Sequence, residues 1–269
     1  MLQRNLFTGP ATVVVALSFS MGMASAQNTS VAGCASLPGY AKLKAALVQA
    51  TKDETSGLNN HMWATIVDRD GVVCAVAFSG KDRFSQWPGS RVISAQKANT
   101  ANAFGLDSSS SSDGSGQANG LALSTGNLFS AVQPGGSLYG LQFSNPVNED
   151  AGYKIPSAAY GTAADPMKGS KIGGVNVFGG GLALFATGKK MVGGVGVSGD
   201  TSCADHFIAW RVRKNLGLDH LGGVGGVSGD TDRPDNIVFD ITNGQSKGGF
   251  GHPTCINTGN EKTLPPVQP

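Results

Sequence analysis

Charged residues are scarce in this sequence and are not concentrated in any part of it. They make up 14% of the 269 residues, and 20 basic side chains nearly balance 18 acidic ones. There is no extended run of lysine or arginine, so the chain has no electrostatic feature that would attract nucleic acid or an anionic membrane. We therefore expect neither as a partner.

Long apolar runs are also missing once the first residues are passed. Residues 11–23 are apolar but too few to cross a bilayer; Arg4 precedes them and the small residues 24–26 follow. This order is typical of a secretory signal peptide with its cleavage site. The sequence thus predicts a signal peptide over residues 1–26 and a secreted or periplasmic protein without a membrane span.

Only four cysteines occur, and none belongs to a Cys-x-x-Cys motif that would indicate a zinc or redox site. An even number of cysteines in an exported protein favours disulfides, and four cysteines allow three pairings. We favour Cys203 with Cys255, which would tie the glycine-rich tail to the last long helix. Cys34 with Cys74 would then tie the first helix to the sheet. The other two pairings remain open on the sequence alone.

One stretch combines a strand, a glycine turn and a helix. Valines in residues 192–197 form a β-branched run, which Ser198-Gly199-Asp200 ends. Ser202 stands three residues before Asp205, the spacing of a capping box, and apolar residues then recur every four positions. Because the first N–H groups of a helix have no partner within it, we expect an anionic group to bind at this helix start.

Periodicity and turn residues predict further elements along the chain. Helices are expected over residues 38–55, 90–104 and 202–216, with a short one within 121–132. Strands are expected over residues 63–67, 72–78, 182–186, 191–197 and 237–241. Residues 107–120 are rich in Ser and Gly and residues 145–170 contain three prolines, which indicates a long surface insertion over about 107–170; residues 242–269 are typical of a polar tail.

Three sequence blocks, taken in order, resemble the GlcG/HbpS-like family of haem-degrading domains. They are the hairpin around Asp68-Arg69-Asp70-Gly71, the alanine-rich helix containing residues 95–101, and the stretch from Gly180 through residues 193–199 to Asp205. Each block alone is weak, and their common order makes the resemblance specific. With the first helix they cover roughly residues 33–105 and 173–217.

The resemblance implies an α+β fold. A single domain over residues 33–241 would hold an antiparallel sheet of about five strands flanked by helices, similar to profilin- or PAS-like folds. The insertion at about 107–170 and the tail over residues 242–269 depart from the family pattern. The resemblance also implies a homo-oligomer and a small-molecule ligand, with haem as the expected cofactor.

Two histidines are candidate ligands of a haem iron. His206, on the first turn of the predicted helix, is the candidate metal ligand, and His61 is its rival. His220 and His252 lie in glycine-rich segments and are weaker candidates. Lys97 would meet a propionate or another carboxylate. N–H groups for the propionates would come from the turn formed by Ser198, Gly199 and Asp200.

Each candidate also has a simple structural interpretation. His206 could be a helix residue without a ligand, and Lys97 a solvated lysine. Asp205 is most simply the capping partner of Ser202. The G-x-G-x-x-G spacing over residues 194–199 indicates a dinucleotide only weakly, because its strand is half of a hairpin rather than the start of a βαβ unit.

Two classes of function follow from the residues and the resemblance. The first is an exported protein that binds haem or a similar tetrapyrrole for sensing, storage or scavenging. The second is an enzyme that degrades haem or acts on a small carboxylic acid at the same helix start. A structural oligomer with a vestigial pocket is a third possibility.

Overall fold

The computed structural model describes residues 32–110, 117–259 and 261–269. The predicted signal peptide over residues 1–26 lies outside these ranges. Among the helices of the described residues, we find none with both the length and the apolar character that a bilayer crossing requires.

A four-stranded antiparallel sheet organises the fold, in the order β2-β1-β4-β3. Its strands are β1 (Trp63–Asp68), β2 (Val73–Phe78), β3 (Gly181–Ala186) and β4 (Lys190–Ser198). β1 and β2 form the predicted hairpin, and Gly71 in its turn has a φ of 76°, a conformation that favours glycine. The predicted α+β fold is confirmed, with four strands in place of about five.

Helices cover both faces of the sheet. They are α1 (Ala32–Ala35), α2 (Tyr40–Lys52), α3 (Ser90–Ala103), α4 (Leu128–Ala131), α5 (Glu149–Gly152) and α6 (Ser202–Asn215). α2 and α6 pack on one face, where fully buried residues such as Leu47 and Phe207 meet Ile66 and Leu184. Each such side chain stabilises the fold by about 1.5–3 kcal/mol. The predicted helices over residues 38–55 and 90–104 correspond to α2 and α3.

α3 lies unusually close to the other face of the sheet. Ala95 and Ala98 of α3 are fully buried against it. A Cβ atom at Gly194 or Gly196 of β4 would overlap the carbonyl oxygens of Ala98 and Ser94, respectively. The small residues on both elements therefore let the helix backbone rest directly on the strand, which brings the side chains of α3 within reach of α6 beyond the sheet.

The described part of the insertion, residues 107–110 and 117–170, is packed against α3 and the first hairpin. The Arg91 guanidinium forms a buried ion pair with the Asp165 carboxylate and donates to the Gly152 carbonyl at 2.7 Å. Val73 of β2 donates its N–H to Ser170 at 2.9 Å and accepts from Gly169 at 2.8 Å. The insertion thus contributes to the core and lies along the outer side of β2.

The residues after α6 are also folded onto the domain. Phe185 of β3 donates its N–H to the Leu218 carbonyl at 2.8 Å and accepts from His220 at 3.1 Å. Trp210 of α6 donates its indole N–H to the Pro265 carbonyl at 2.9 Å. The predicted tail is therefore packed onto the domain. It covers apolar and aromatic side chains of α6, such as Trp210.

In the C-terminal segment, which comprises the residues after α6, one prediction is wrong and another is confirmed. The predicted strand over residues 237–241 is wrong: only a two-residue hairpin occurs there, β5 (Ile241–Thr242) with β6 (Gln245–Ser246). The cysteines pair as we favoured, Cys34 with Cys74 and Cys203 with Cys255. The second disulfide fixes the C-terminal segment to the first turn of α6.

Candidate functional site

The start of α6 is capped differently from the prediction. Thr201 is the N-cap, and its side-chain oxygen accepts the Ala204 N–H at 3.3 Å. The predicted capping box of Ser202 with Asp205 is wrong, because the N-cap is Thr201, one residue earlier, and the Asp205 carboxylate turns back towards the glycine turn.

Asp205 occupies the position in which we expected a bound anion. Its Oδ1 accepts the N–H groups of Gly199 at 3.0 Å and Asp200 at 2.9 Å. Its Oδ2 accepts a hydrogen bond from Lys97 Nζ at 2.6 Å. The turn amides predicted to hold an external ligand are therefore satisfied by a carboxylate of the chain itself.

Lys97 reaches this place from α3 and is fully buried. Its Nζ also donates to the Val197 carbonyl at 3.2 Å and lies 4.1 Å from the centroid of the Phe178 ring. Burial lowers the pKa of Lys97, and the neighbouring Asp205 opposes this. Burial likewise raises the pKa of Asp205 to about 6, opposed by Lys97. Lys97 is thus paired inside the protein, and the solvated alternative does not apply.

The other two residues of the turn have structural partners as well. Asp200 accepts the N–H groups of Leu58 and Asn60, each at 2.8 Å, through its two carboxylate oxygens. Ser198 is buried at the end of β4, opposite Trp63. The turn therefore holds the loop that precedes β1, and that loop positions His61.

His206, on the first turns of α6, is fully buried where this helix meets the C-terminal segment. Its Nε2 lies 3.2 Å from both Asn236 Oδ1 and the backbone nitrogen of Ile237. Its Nδ1 has no hydrogen-bond partner among the described residues. Burial lowers the pKa of His206 from 6.5 to about 4, so the ring is neutral at neutral pH. A ligand can reach this imidazole only if the C-terminal segment moves.

We expect His206 to reduce the stability of the fold as the pH falls from 6.5 to 4. The unfolded chain binds this proton more readily than the folded one, so the stabilisation is complete above pH 6.5 and is lost as the pH approaches 4. Between pH 6.5 and 4, the free energy of unfolding of a His206→Gln variant should fall by up to about 3 kcal/mol less than that of the wild type. Urea unfolding at several pH values measures the difference.

The comparison of the two proteins isolates His206. Asp205 titrates with the opposite sign, since its raised pKa makes the fold less stable as the pH rises from 3.8 to about 6. That contribution is common to both proteins and cancels in the difference. If the free energies of unfolding of the wild type and His206→Gln changed in parallel with pH, His206 would already be protonated, or already exposed, at pH 6.

His61 is the exposed member of the candidate set. It lies two residues before β1 and lines a groove of about 380 Å³ between α2 and the first hairpin. Its Nδ1 lies 3.3 Å from Ser79 Oγ, which leaves Nε2 directed away from that contact. Lys52 and Val48 of α2 line the same groove, and Val48 is 42% exposed. The predicted site residues thus divide into a buried cluster and one surface imidazole.

His252 has a more defined position than the sequence indicated. It is buried, its Nε2 lies 2.7 Å from Ser202 Oγ, and its ring is 5.0 Å from that of Phe129. The favoured pairing of Cys203 with Cys255 could have predicted this position, because it brings His252, three residues before Cys255, to the start of α6. The glycine-rich surroundings of His252 concealed this.

Comparison with known proteins assigns the matched part of the chain to a family. Residues 41–214 match the family model described as haem degrading protein HbpS-like. The chain belongs to the HbpS-like family. Its matched span begins in α2 and ends in α6, so the C-terminal segment that covers His206 lies outside it. Comparison with curated proteins finds no match.

Solved structures resemble this HbpS-like chain more distantly. The crystal structure of a PduOC:heme complex is 22% identical, covering 66% of this chain and 91% of that one, with a TM-score of 0.42. Klebsiella pneumoniae protein ORFY is 25% identical, covering 66% and 87%, with a TM-score of 0.41. HbpS is 20% identical, covering 66% and 86%, with a TM-score of 0.39.

Proposed function

We propose that this protein binds haem or a similar tetrapyrrole, with His61 as the ligand of the iron. The observation that carries the proposal is the position of His61: it is the one candidate imidazole that solvent reaches in the part of the HbpS-like region that the structure describes. His206 has the same chemistry but is fully buried.

The residues around His61 are of the types that a haem requires. An imidazole nitrogen is a common axial ligand of haem iron. The Lys52 ammonium supplies a positive charge for a propionate, and Val48 supplies apolar surface on the same groove. Bound haem would supply an iron centre for redox or ligand-binding chemistry.

The buried cluster has a supporting role in this proposal. Lys97 and Asp205 hold the glycine turn, and Asp200 holds the loop that ends at His61. Ser198 and Gly199 would therefore act on the ligand indirectly, by fixing the wall of the groove. His206 stays a second candidate ligand, for a form of the protein in which Asn236 and Ile237 have moved away.

Addition of haemin to the purified protein should shift and sharpen the Soret band relative to free haemin. We expect His61→Ala to weaken binding at least about tenfold, because loss of an outer partner of a metal ligand alone costs about 10–100-fold. Absorbance titrations of both proteins at pH 7 give the two affinities.

Two matched variants make the titration decisive. His220→Ala removes another surface-accessible imidazole, which lies beside the outer edge of β3 and away from the groove at His61. This variant should bind haemin like the wild type. His206→Ala tests the buried candidate. Equal affinity of the wild type and His61→Ala would reject His61 as the ligand, and a Soret band identical to that of free haemin in the wild type would reject haem binding altogether.

Haem degradation is the second candidate function, favoured by the description of the family that the chain matches. Binding and turnover differ in one observable: a degrading enzyme destroys the bound ligand. Incubation of the haemin-loaded protein with a reductant and oxygen should then bleach the Soret band and release iron faster than with His61→Ala. An unchanged Soret band after many equivalents of reductant would leave binding alone.

Location and assembly are part of the same proposal. Two disulfides favour an oxidising compartment, so we propose that the protein acts in the periplasm or outside the cell. The homo-oligomer that the resemblance implies stays a prediction, and light scattering on the purified protein measures it.

A further inference from the structure

A second group of ligand-type side chains lies beside the first turn of α6. The two sulfur atoms of Cys203 and Cys255 and a ring nitrogen of His252 all lie within 4.8 Å of one another. Cys203 and His252 are buried, and Cys255 is half-buried. None of the three lines the groove at His61. The two sulfurs form a disulfide in this structure, and His252 lies next to it.

His252 is held in the tautomer that metal-bound histidines adopt. Its Nδ1 lies 2.6 Å from the Pro253 carbonyl oxygen. Because a carbonyl oxygen can only accept, Nδ1 carries the proton and Nε2 keeps its lone pair. A backbone carbonyl that binds the far nitrogen in this way is the usual outer partner of a histidine on a metal. Nε2 faces Ser202 Oγ at 2.7 Å, on the side of the sulfurs.

We propose that the reduced protein binds one zinc ion, or a divalent metal of similar preference, through Cys203, His252 and Cys255. Two thiolates and one imidazole form a ligand set that zinc favours, with the fourth position open to water. A phosphine reductant supplies two electrons to the disulfide and becomes a phosphine oxide, and water supplies the oxygen of that oxide and the two thiol protons. Each new thiol then loses its proton to solvent as its sulfur–metal bond forms.

Other contacts hold the three residues together after the disulfide is reduced. The Arg213 guanidinium donates to Asp235 Oδ2 at 2.6 Å, and Trp210 donates to Pro265, so α6 keeps the C-terminal segment in place on both sides of the site. Thr258 Oγ1 accepts the Cys255 N–H at 2.8 Å and fixes the local turn. The ligands therefore stay close without the covalent bond between them.

The first disulfide provides an internal control. Cys34, Cys74 and Asp68 also lie within 4.8 Å of one another. This group has no imidazole, and Asp68 Oδ1 accepts the N–H groups of Asp70 at 3.0 Å and Val72 at 2.9 Å to form the hairpin turn. We therefore expect the same reduction to create a metal site at Cys203 and none at Cys34.

Thiol alkylation in the wild-type protein tests the proposal. The untagged full chain is reduced with a phosphine, freed of metal, and pulsed with iodoacetamide with and without one equivalent of zinc; mass spectrometry follows each cysteine. Zinc should slow alkylation of Cys203 and Cys255 at least about tenfold and leave Cys34 and Cys74 unchanged. Equal protection of all four cysteines, protection of Cys34 and Cys74 alone, or no protection would overturn the proposal.

Cobalt in place of zinc identifies the imidazole. The reduced wild type should bind one cobalt ion with thiolate-to-metal charge-transfer absorption. His252→Ala should bind it at least about tenfold more weakly, and His220→Ala should match the wild type. Cobalt affinity equal in His252→Ala and the wild type would remove His252 from the site. If His252→Ala fails to fold by circular dichroism, the alkylation pattern of the wild type decides.

Discussion

Replacement of Asp205 by alanine is expected to lower the free energy of unfolding by about 3–5 kcal/mol. The change leaves the Lys97 ammonium fully buried without the carboxylate that now lies 2.6 Å away. It also removes the acceptor of the Gly199 and Asp200 N–H groups. Urea unfolding at pH 7, followed by tryptophan fluorescence, measures the loss.

The same substitution at an exposed ion pair is the control for Asp205→Ala. Asp230 pairs with Arg233 at 2.9 Å, and its side chain is 41% exposed. Asp230→Ala should cost less than about 1 kcal/mol, because solvent screens such a pair. Similar losses in the two variants would mean that Lys97 and Asp205 are not isolated from water as the structure places them.

Replacement of Asp235 by alanine is expected to cost a similar amount, about 3–5 kcal/mol. Asp235 lies in the C-terminal segment and accepts two hydrogen bonds from Arg213 of α6, at 2.6 Å and 2.9 Å; neither side chain is exposed. Its loss leaves a guanidinium buried against Trp210, without its counter-charge. Urea unfolding gives the magnitude, and limited proteolysis should show faster cleavage after residue 217.

A double variant separates the lost pair from lost packing. Asp235→Leu combined with Arg213→Met removes both charges and keeps most of the volume, so it should recover a large part of the stability. A double variant no more stable than Asp235→Ala would indicate that the hydrogen bond from Arg213 to the Ala183 carbonyl, at 3.2 Å, contributes more than the ion pair.

Much of the fold was predictable because its signals are local. Apolar spacing within residues 40–52 and 90–103 is sufficient to identify α2 and α3, and Asp70-Gly71 identifies the first hairpin. The prediction of a strand over residues 237–241 is wrong because its first β-branched residue, Ile237, contacts α6. Ile237 directs its N–H to His206 on α6, and no strand pairs with it among the residues that the structure describes.

The candidate site was less predictable because its partners are distant in sequence. The spacing of Ser202 and Asp205 suggests a local cap, whereas Asp205 binds Lys97, 108 residues earlier. The position of His206 depends on Asn236, 30 residues later. Burial of the C-terminal segment follows from ion pairs such as Arg213 with Asp235, and nothing in a polar, glycine-rich sequence identifies them.

Each outer strand of the sheet is covered at one residue, and this restricts how copies of this protein can pair their strands. β2 is bordered by Gly169 and Ser170, and β3 by Leu218 and His220. Peptide groups that would otherwise recruit an extended strand from a neighbouring molecule are thereby shielded at Val73 and Phe185. Fibril-like stacking and strand exchange are therefore disfavoured at these two positions.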